Sequence, residues 1–186
     1  QEYYYIIVMF ASIQTAIMFG FNISFIILDE KDENVIQVIR VLPISASLFM
    51  LYRLVFATLY SFVGAFCIIT FSGIVSISII NTILISIQYA LAAPIITLLI
   101  ATFANNKIEG IAYFKGIDLV LILPVMVFFL SSPFMHLFAI VPSYWTYRLF
   151  EKSINHSQTF VFFIWGLLVH LSTILILFKI FKKKVF

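Results

Sequence analysis

Charge is what this sequence lacks most. Only 10 % of its 186 residues are Asp, Glu, Lys or Arg, where an ordinary soluble domain carries about a quarter. That shortage excludes a soluble fold. It also excludes intrinsic disorder, which needs high charge and low hydrophobicity. Cysteine is nearly absent too: Cys67 stands alone, so no disulfide framework can form within the chain. Lying in an apolar run, Cys67 reads as a buried packing thiol rather than a reactive one. No Gly-x-x-x-x-Gly-Lys-Ser/Thr run exists, so the chain cannot bind nucleotide through a P-loop. His136, His156 and His170 are isolated from one another and from any Cys or carboxylate at helical spacing, which leaves no metal-ligand pattern. Nor does any Ser/His/Asp grouping arise from spacing.

What remains is apolar. Hydrophobic residues make up 63 % of the chain, with 22 Phe and nine Tyr, and mean hydropathy is +1.15. A spanning helix needs roughly 20 apolar residues, so the length admits about six or seven spans and no soluble catalytic domain. The expected fold is therefore an all-α integral membrane bundle, a single transmembrane domain over residues 1–186.

Charge-free runs mark the spans. Tyr3 to Leu28 is uncharged and closes on Asp29-Glu30-Lys31-Asp32-Glu33. The run has no basic flank and no small-residue cleavage site, so it does not read as a signal peptide. Leu54 to Asn106 is also uncharged, and as one helix it would be roughly 80 Å long against a hydrocarbon core of roughly 30 Å. It must hold two spans, with the turn between Ser72-Gly73 and Asn81-Thr82, where Gly, Ser and Asn gather. Pro124, Pro133 and Pro142 punctuate the next apolar stretch. The expected spans are about residues 3–28, 48–71, 82–103, 118–132 and 159–180, and 133–152 reads as a re-entrant or interfacial outer hairpin.

The formal net charge is +3, and its placement speaks for topology rather than nucleic acid. Lys31, Arg40, Arg53, Lys107, Lys115, Lys179, Lys182, Lys183 and Lys184 fall on one side of the membrane, and only Arg148 and Lys152 on the other. By the positive-inside rule the first group is cytoplasmic, and so is the C-terminus. Five spans then put Gln1 outside. Because such proteins usually start inside, an earlier span ahead of Gln1 is expected, six in the full protein.

Small residues recur at four-residue steps, as Ala57, Ser61 and Ala65 and as Ala93, Thr97 and Ala101. Such faces let helices approach closely and indicate a packed bundle. His170 lies inside the last span. A neutral histidine bonded across a helix interface is the plain reading, and an ionisable functional group is the alternative. Asp118, three residues after Lys115, reads as a helix-end ion pair or a water-facing carboxylate rather than a proton relay.

The first cytoplasmic loop, Asp32 to Leu42, carries the most pattern. Val35, Val38, Ile39 and Leu42 recur at helical spacing, with Glu33, Gln37 and Arg40 on the opposite face. Asp32 and Glu33 complement the helix dipole, Pro43 stops the helix, and Ser45 can cap the next one. Amphipathicity alone fits equally a passive interfacial helix and a lever that another protein pushes.

The segment Glu33-Asn34-Val35-Ile36-Gln37-Val38-Ile39-Arg40-Val41-Leu42-Pro43-Ile44-Ser45 resembles the coupling helix of type-2 ABC exporter permeases. That pattern is an acidic residue, Gly, a hydrophobic pair, Glu, further hydrophobics and a Pro stop. Here Asn34 replaces the Gly and can still take a left-handed conformation, while Gln37 replaces the Glu without its charge. The stretch from Asn106 to Lys115, with Lys107, Glu109 and Lys115, resembles the second cytoplasmic connection. Pro142-Ser143-Tyr144-Trp145 resembles the outer hairpin. The resemblance covers nearly the whole chain and is nearest to fluoroquinolone-exporting permeases.

It implies a permease subunit with six spans, paired with itself or a sister permease in the bacterial plasma membrane. A separate ABC ATPase subunit, holding ATP and Mg, would dock below. Asp32, Glu33, Asn34, Gln37, Arg40 and Pro43 would then form the ATPase-coupling segment. This chain itself would hold no catalytic residue, cofactor or metal, and its partners would include membrane lipid but no nucleic acid. The cargo would be a hydrophobic or amphipathic drug, lipid or peptide. An ion-coupled carrier would place ionisable groups near mid-membrane, where this sequence has almost none. A membrane substrate-binding subunit of an importer fits the size but has no need of the amphipathic loop. An intramembrane enzyme would need a histidine beside a nucleophile.

Overall fold

The computed structural model describes residues 4–41, 45–128, 133–155 and 157–185. Every regular element among them is helical. In chain order these are α1 (Tyr4–Asp32), α2 (Val35–Val41), α3 (Ala46–Phe71), α4 (Ile79–Ala90), α5 (Ala92–Phe103), α6 (Lys107–Ile122), α7 (Pro142–Ile154) and α8 (Thr159–Val185). Two 3₁₀ segments, Leu123–Phe128 and Pro133–Ile140, join α6 to α7. Four stretches are long and apolar enough to cross a membrane: Tyr4–Asp32, Ser47–Phe71, Ile79–Phe103 and Thr159–Val185. The protein is an all-α, multi-pass membrane protein.

Helix ends follow local chemistry. Ser45 caps α3 by accepting from the Leu48 N–H at 3.3 Å, and Ser78 caps α4 through the Asn81 N–H at 3.3 Å. The turn expected after residue 71 is present, and Gly73 takes φ +64° there, a conformation open to residues without a Cβ. One break was not expected. The apolar run 82–103 reads as a single helix, yet it is interrupted at Leu91 between α4 and α5. The physical reason is Pro94, which has no N–H to donate toward residue 90 and whose ring crowds that carbonyl.

The α4–α5 stretch is the centre of the bundle. Its most apolar window is 72 % buried, against 17 % for α8 and 28 % for α3. On one side α1 packs against both α3 and α5, and on the other α8 packs against α5 and α7. Hydrocarbon gives little hydrophobic drive between helices, so close contact must come from shape. Both small-residue rows serve that purpose: Ala57, Ser61, Ala65, Ala93, Thr97 and Ala101 are all fully buried. At Gly20 an added Cβ would sit 2.7 Å from the Ala93 carbonyl oxygen, and at Gly64 it would meet Thr15 at 2.9 Å. Thr97 donates across the α1–α5 contact to the Gly20 carbonyl at 3.0 Å. Buried serines satisfy themselves within their own helices: Ser12, Ser61, Ser86 and Ser153 each donate 2.7 Å to the carbonyl four residues back.

The segment expected to cross at 118–132 has a different form. Its helix starts at Lys107, runs to Ile122 and tightens to 3₁₀ through Phe128, and residues 129–132 lie outside those described. Asn106 sets the start by accepting the Glu109 N–H at 2.9 Å. Pro124 explains the change of winding, since it removes the donor that would continue the α-helix.

Candidate functional site

Two polar regions stand at opposite ends of the bundle. The first gathers the ends of α1 and α5, the starts of α3 and α6, and α2. Here α1 runs through the acidic stretch to Asp32, and the chain reverses at Asn34, whose φ of 59° is left-handed. Asn tolerates that region better than other residues with a Cβ. The turn is held by Gln37, whose Nε2 donates to Asn34 Oδ1 at 2.9 Å and whose N–H donates to the Asn34 carbonyl at 3.0 Å. The helix begins at Val35, later than the 32–42 expected, because Asp32 still belongs to α1.

Its buried face also differs from the sequence pattern. Ile36 is 6 % exposed, while Val38, assigned to the apolar face, is 56 % exposed. The left-handed turn rotates α2 so that Ile36 faces the bundle. Glu33, Asn34 and Gln37 are exposed. The Arg40 side chain, Leu42 and Pro43 lie outside the described residues.

Ion pairs brace this end. Asp29 accepts from Lys107 of α6 at 2.6 Å, and Glu30 pairs with Arg53 of α3. The hydrogen bond to Asp29 raises the Lys107 pKa above its ordinary 10.5. The Arg53 guanidinium also lies 4.7 Å from the centre of the Phe49 ring. Lys31 folds back to the carbonyls of Ala101 and, at 3.3 Å, Ala104, so a cation sits on the C-terminus of α5. Glu109 is spent on the turn before α6: its Oε2 accepts from the Asn105 N–H and from Asn105 Nδ2, both at 2.9 Å. Lys115 is exposed. It makes no ion pair with Asp118, so the first of the two readings of that carboxylate does not hold for this pair, and Asp118 Oδ1 is buried without a hydrogen-bond partner.

The second region is the hairpin end. Pro142 opens α7 at its first turn, where a missing N–H costs nothing. Tyr144 is 4 % exposed. Trp145 donates Nε1–H to the Ala139 carbonyl at 2.8 Å and stacks on Trp165 of α8 at 6.1 Å between centroids. Ser143 and Tyr147 both donate to the Leu121 carbonyl, at 2.7 and 3.2 Å. That carbonyl lies in the last turn of α6, so α7 supplies its acceptor with donors. Arg148 pairs with Glu151 at 2.9 Å.

Sequence reasoning missed Gln88. It is fully buried, and its Nε2 donates to the Phe162 and Phe163 carbonyls at 3.2 and 2.9 Å, tying α4 to α8. Gly166 makes room, because a Cβ there would overlap the Gln88 amide. A lone Gln in an apolar run was the available signal. His170 is fully buried, but its Nδ1 contacts the Gly166 carbonyl of its own helix at 2.7 Å rather than a neighbouring helix. His136 is exposed, and His156 lies outside the described residues. Cys67 is half-buried and unpaired.

Between α5, α6, α8 and the start of α7 lies a groove of about 700 Å³. Ile95, Leu99, Ile117, Val120 and Leu121 line it, with Tyr113 and Thr173 as its hydroxyl-bearing members. Among the described residues no charged one is in its walls.

A model of the Rv2686c-like family, fluoroquinolones export permease proteins, matches residues 1–178. The chain belongs to that family. The permease is 28 % identical over 185 residues to the fluoroquinolones export permease proteins Rv2686c and MT2760 of two Mycobacterium tuberculosis strains, covering 96 % of this chain and 72 % of each relative. No solved structure matches it. It is thus an export permease, a transporter component rather than an enzyme.

Proposed function

We propose that this permease is the transmembrane subunit of an ATP-driven ABC exporter, coupled to a separate ATPase subunit. The observation that carries the reading is the geometry of α2. A short helix, turned out of α1 by one left-handed residue, exposes Gln37 and Val38 at the end of the bundle, with Glu33 exposed in the turn before it. The residues beside its hinge are cross-linked to α3 and α6 through Glu30–Arg53 and Asp29–Lys107. A push on α2 would therefore reach three helices at once. On this reading the basic end and the C-terminus face the cytoplasm, in keeping with the positive-inside rule. ATP and Mg belong to the partner. A second permease subunit, identical or sister, completes the transport path in the bacterial plasma membrane.

The cargo is a hydrophobic or amphipathic molecule such as a drug, lipid or peptide. The groove supports this, since its volume falls within the range of about 300–1,000 Å³ typical of small-molecule sites and its walls carry no charge among the described residues. The relatives are named for export of fluoroquinolones, which are amphipathic molecules.

Gentle detergent purification from the native host, assayed for co-eluting ATP hydrolysis, tests the proposal. A stoichiometric ATPase is expected, and Glu33→Lys should release it while leaving the permease inserted. A chain that elutes alone and moves solute in liposomes without ATP would replace this reading with that of an ion-coupled carrier. Orientation has its own test. Asn155→Cys should react with an impermeant thiol reagent from outside intact cells, and labelling only after permeabilisation would reverse the topology.

A further inference from the structure

At the basic end a second cavity, about 250 Å³, opens between the ends of α1, α5 and α8 and the start of α2. Lys31, Asn34, Gln37, Thr102, Asn105 and Lys184 line it, and no acidic residue does among the described residues. Lys31 and Lys184, from opposite ends of the chain, both line this one cavity. Three of the acidic groups nearby are engaged, Asp29 with Lys107, Glu30 with Arg53 and Glu109 with Asn105, and Glu33 is exposed and outside the lining. Lys31 already donates to the Ala101 and Ala104 carbonyls, and an anion in the cavity would be drawn by its ammonium and by that of Lys184 together. Thr102 adds an independent sign. It is 2 % exposed, and its hydroxyl is buried with no hydrogen-bond partner, a state that normally calls for one.

We infer that this cavity is a binding site for a phosphate group, and that the phosphate is carried by the headgroup of an anionic lipid. The level of the site argues for lipid. It lies where three apolar helices end together, α1 at Asp32, α5 at Phe103 and α8 at Val185. Basic pockets between helices at that depth suit anionic headgroups. The Lys184 ammonium rests over the Phe103 ring, 5.0 Å from its centre, which holds the charge at the end of α5 beside the cavity. Asn34 and Gln37 are the hinge residues of α2. A phosphate held here would tie α2 to the end of α8, and the lipid would bias the helix that the coupling proposal makes a lever. That consequence rests on the coupling reading, whereas the binding site does not.

Native mass spectrometry of the full chain, titrated with phosphatidylglycerol and with phosphatidylcholine of the same acyl chains, tests the site. A preference for phosphatidylglycerol is expected. Lys184→Gln and Lys31→Gln should each weaken it about five-fold, and Lys31→Arg should keep it, which separates lost charge from lost fold. Converting the exposed Lys179, Lys182 and Lys183 together to Gln should leave the preference unchanged. If the Lys31→Gln, Lys184→Gln double variant binds phosphatidylglycerol like the parent, or the triple variant loses as much as the double, no built site exists. A competition arm with millimolar inorganic phosphate identifies the source. Phosphate that fails to displace the lipid supports the headgroup assignment, and phosphate that binds in place of any lipid preference overturns it in favour of a soluble phosphate.

Discussion

The two ends of the bundle are held together by different chemistry. At the basic end the contacts are ionic and partly wet: Lys107 and Asp29 leave 49 % and 47 % of their side chains exposed. At the hairpin end, apart from the Arg148–Glu151 pair within α7, they are neutral and dry, with Tyr147, Leu149 and Phe150 fully buried and Ser143 and Tyr147 sharing one carbonyl. Exposed ion pairs contribute little and exchange easily. Buried aromatic packing cannot shift without opening a void. The contrast separates an end that can be repositioned by a partner from an end that keeps its shape.

The largest test of this contrast is Phe150→Ala, which should cost about 3 kcal/mol through the cavity it leaves and lower the melting temperature in detergent. Stability within error of the parent would mean the hairpin is not a packed wall. Asn34→Val comes next. A β-branched residue in the left-handed region costs about 1–2 kcal/mol, so hydrogen exchange should show α2 loosened, whereas Asn34→Gly should keep it. Equal protection in both variants would show that the turn is not what sets α2. Ser143→Ala should cost about 1 kcal/mol, softened because Tyr147 still donates to the Leu121 carbonyl.

The smallest expected effect is Asp29→Asn. The melting temperature should not move, because the partner lysine is exposed. The Asp29–Lys107 contact should nevertheless have a pH signature. Lys107 is the group with the raised pKa, so the contact's stabilisation is complete below 10.5 and is lost only as pH climbs through the raised value. Protection at the start of α6, taken relative to the intrinsic base-catalysed exchange rate at each pH, should therefore be constant from neutral to mildly alkaline pH and fall beyond it. A fall near neutrality would assign the contact to another group.

Much of the architecture could be read from charge alone. The uncharged runs located the four long helices within a few residues, and the four-residue spacing of Ala57, Ser61 and Ala65 named a buried face before any contact was known. Asn34 was legible as a turn residue because few other side chains tolerate positive φ. The break at Leu91 was legible in principle from Pro94, but hydropathy does not register it. The buried face of α2 was not legible. Its seven residues, Val35–Val41, are apolar at most positions, so periodicity offered several faces and the left-handed turn selected Ile36. The pairing of Asp118 also failed to follow from spacing, since Lys115 turns outward while one Asp118 oxygen is enclosed.

The sequence by itself determined that this chain is helical, lies in a membrane and packs through small residues, because each of those follows from local composition and period. Only the tertiary structure decided which polar groups meet. Lys31 and Lys184 are 153 positions apart (184 − 31) and share a cavity because α1 and α8 end at the same level. Gln88 reaches α8 only because Gly166 leaves room for it. Contacts between distant segments depend on how helices are turned about their axes, and packing, not local sequence, sets that rotation.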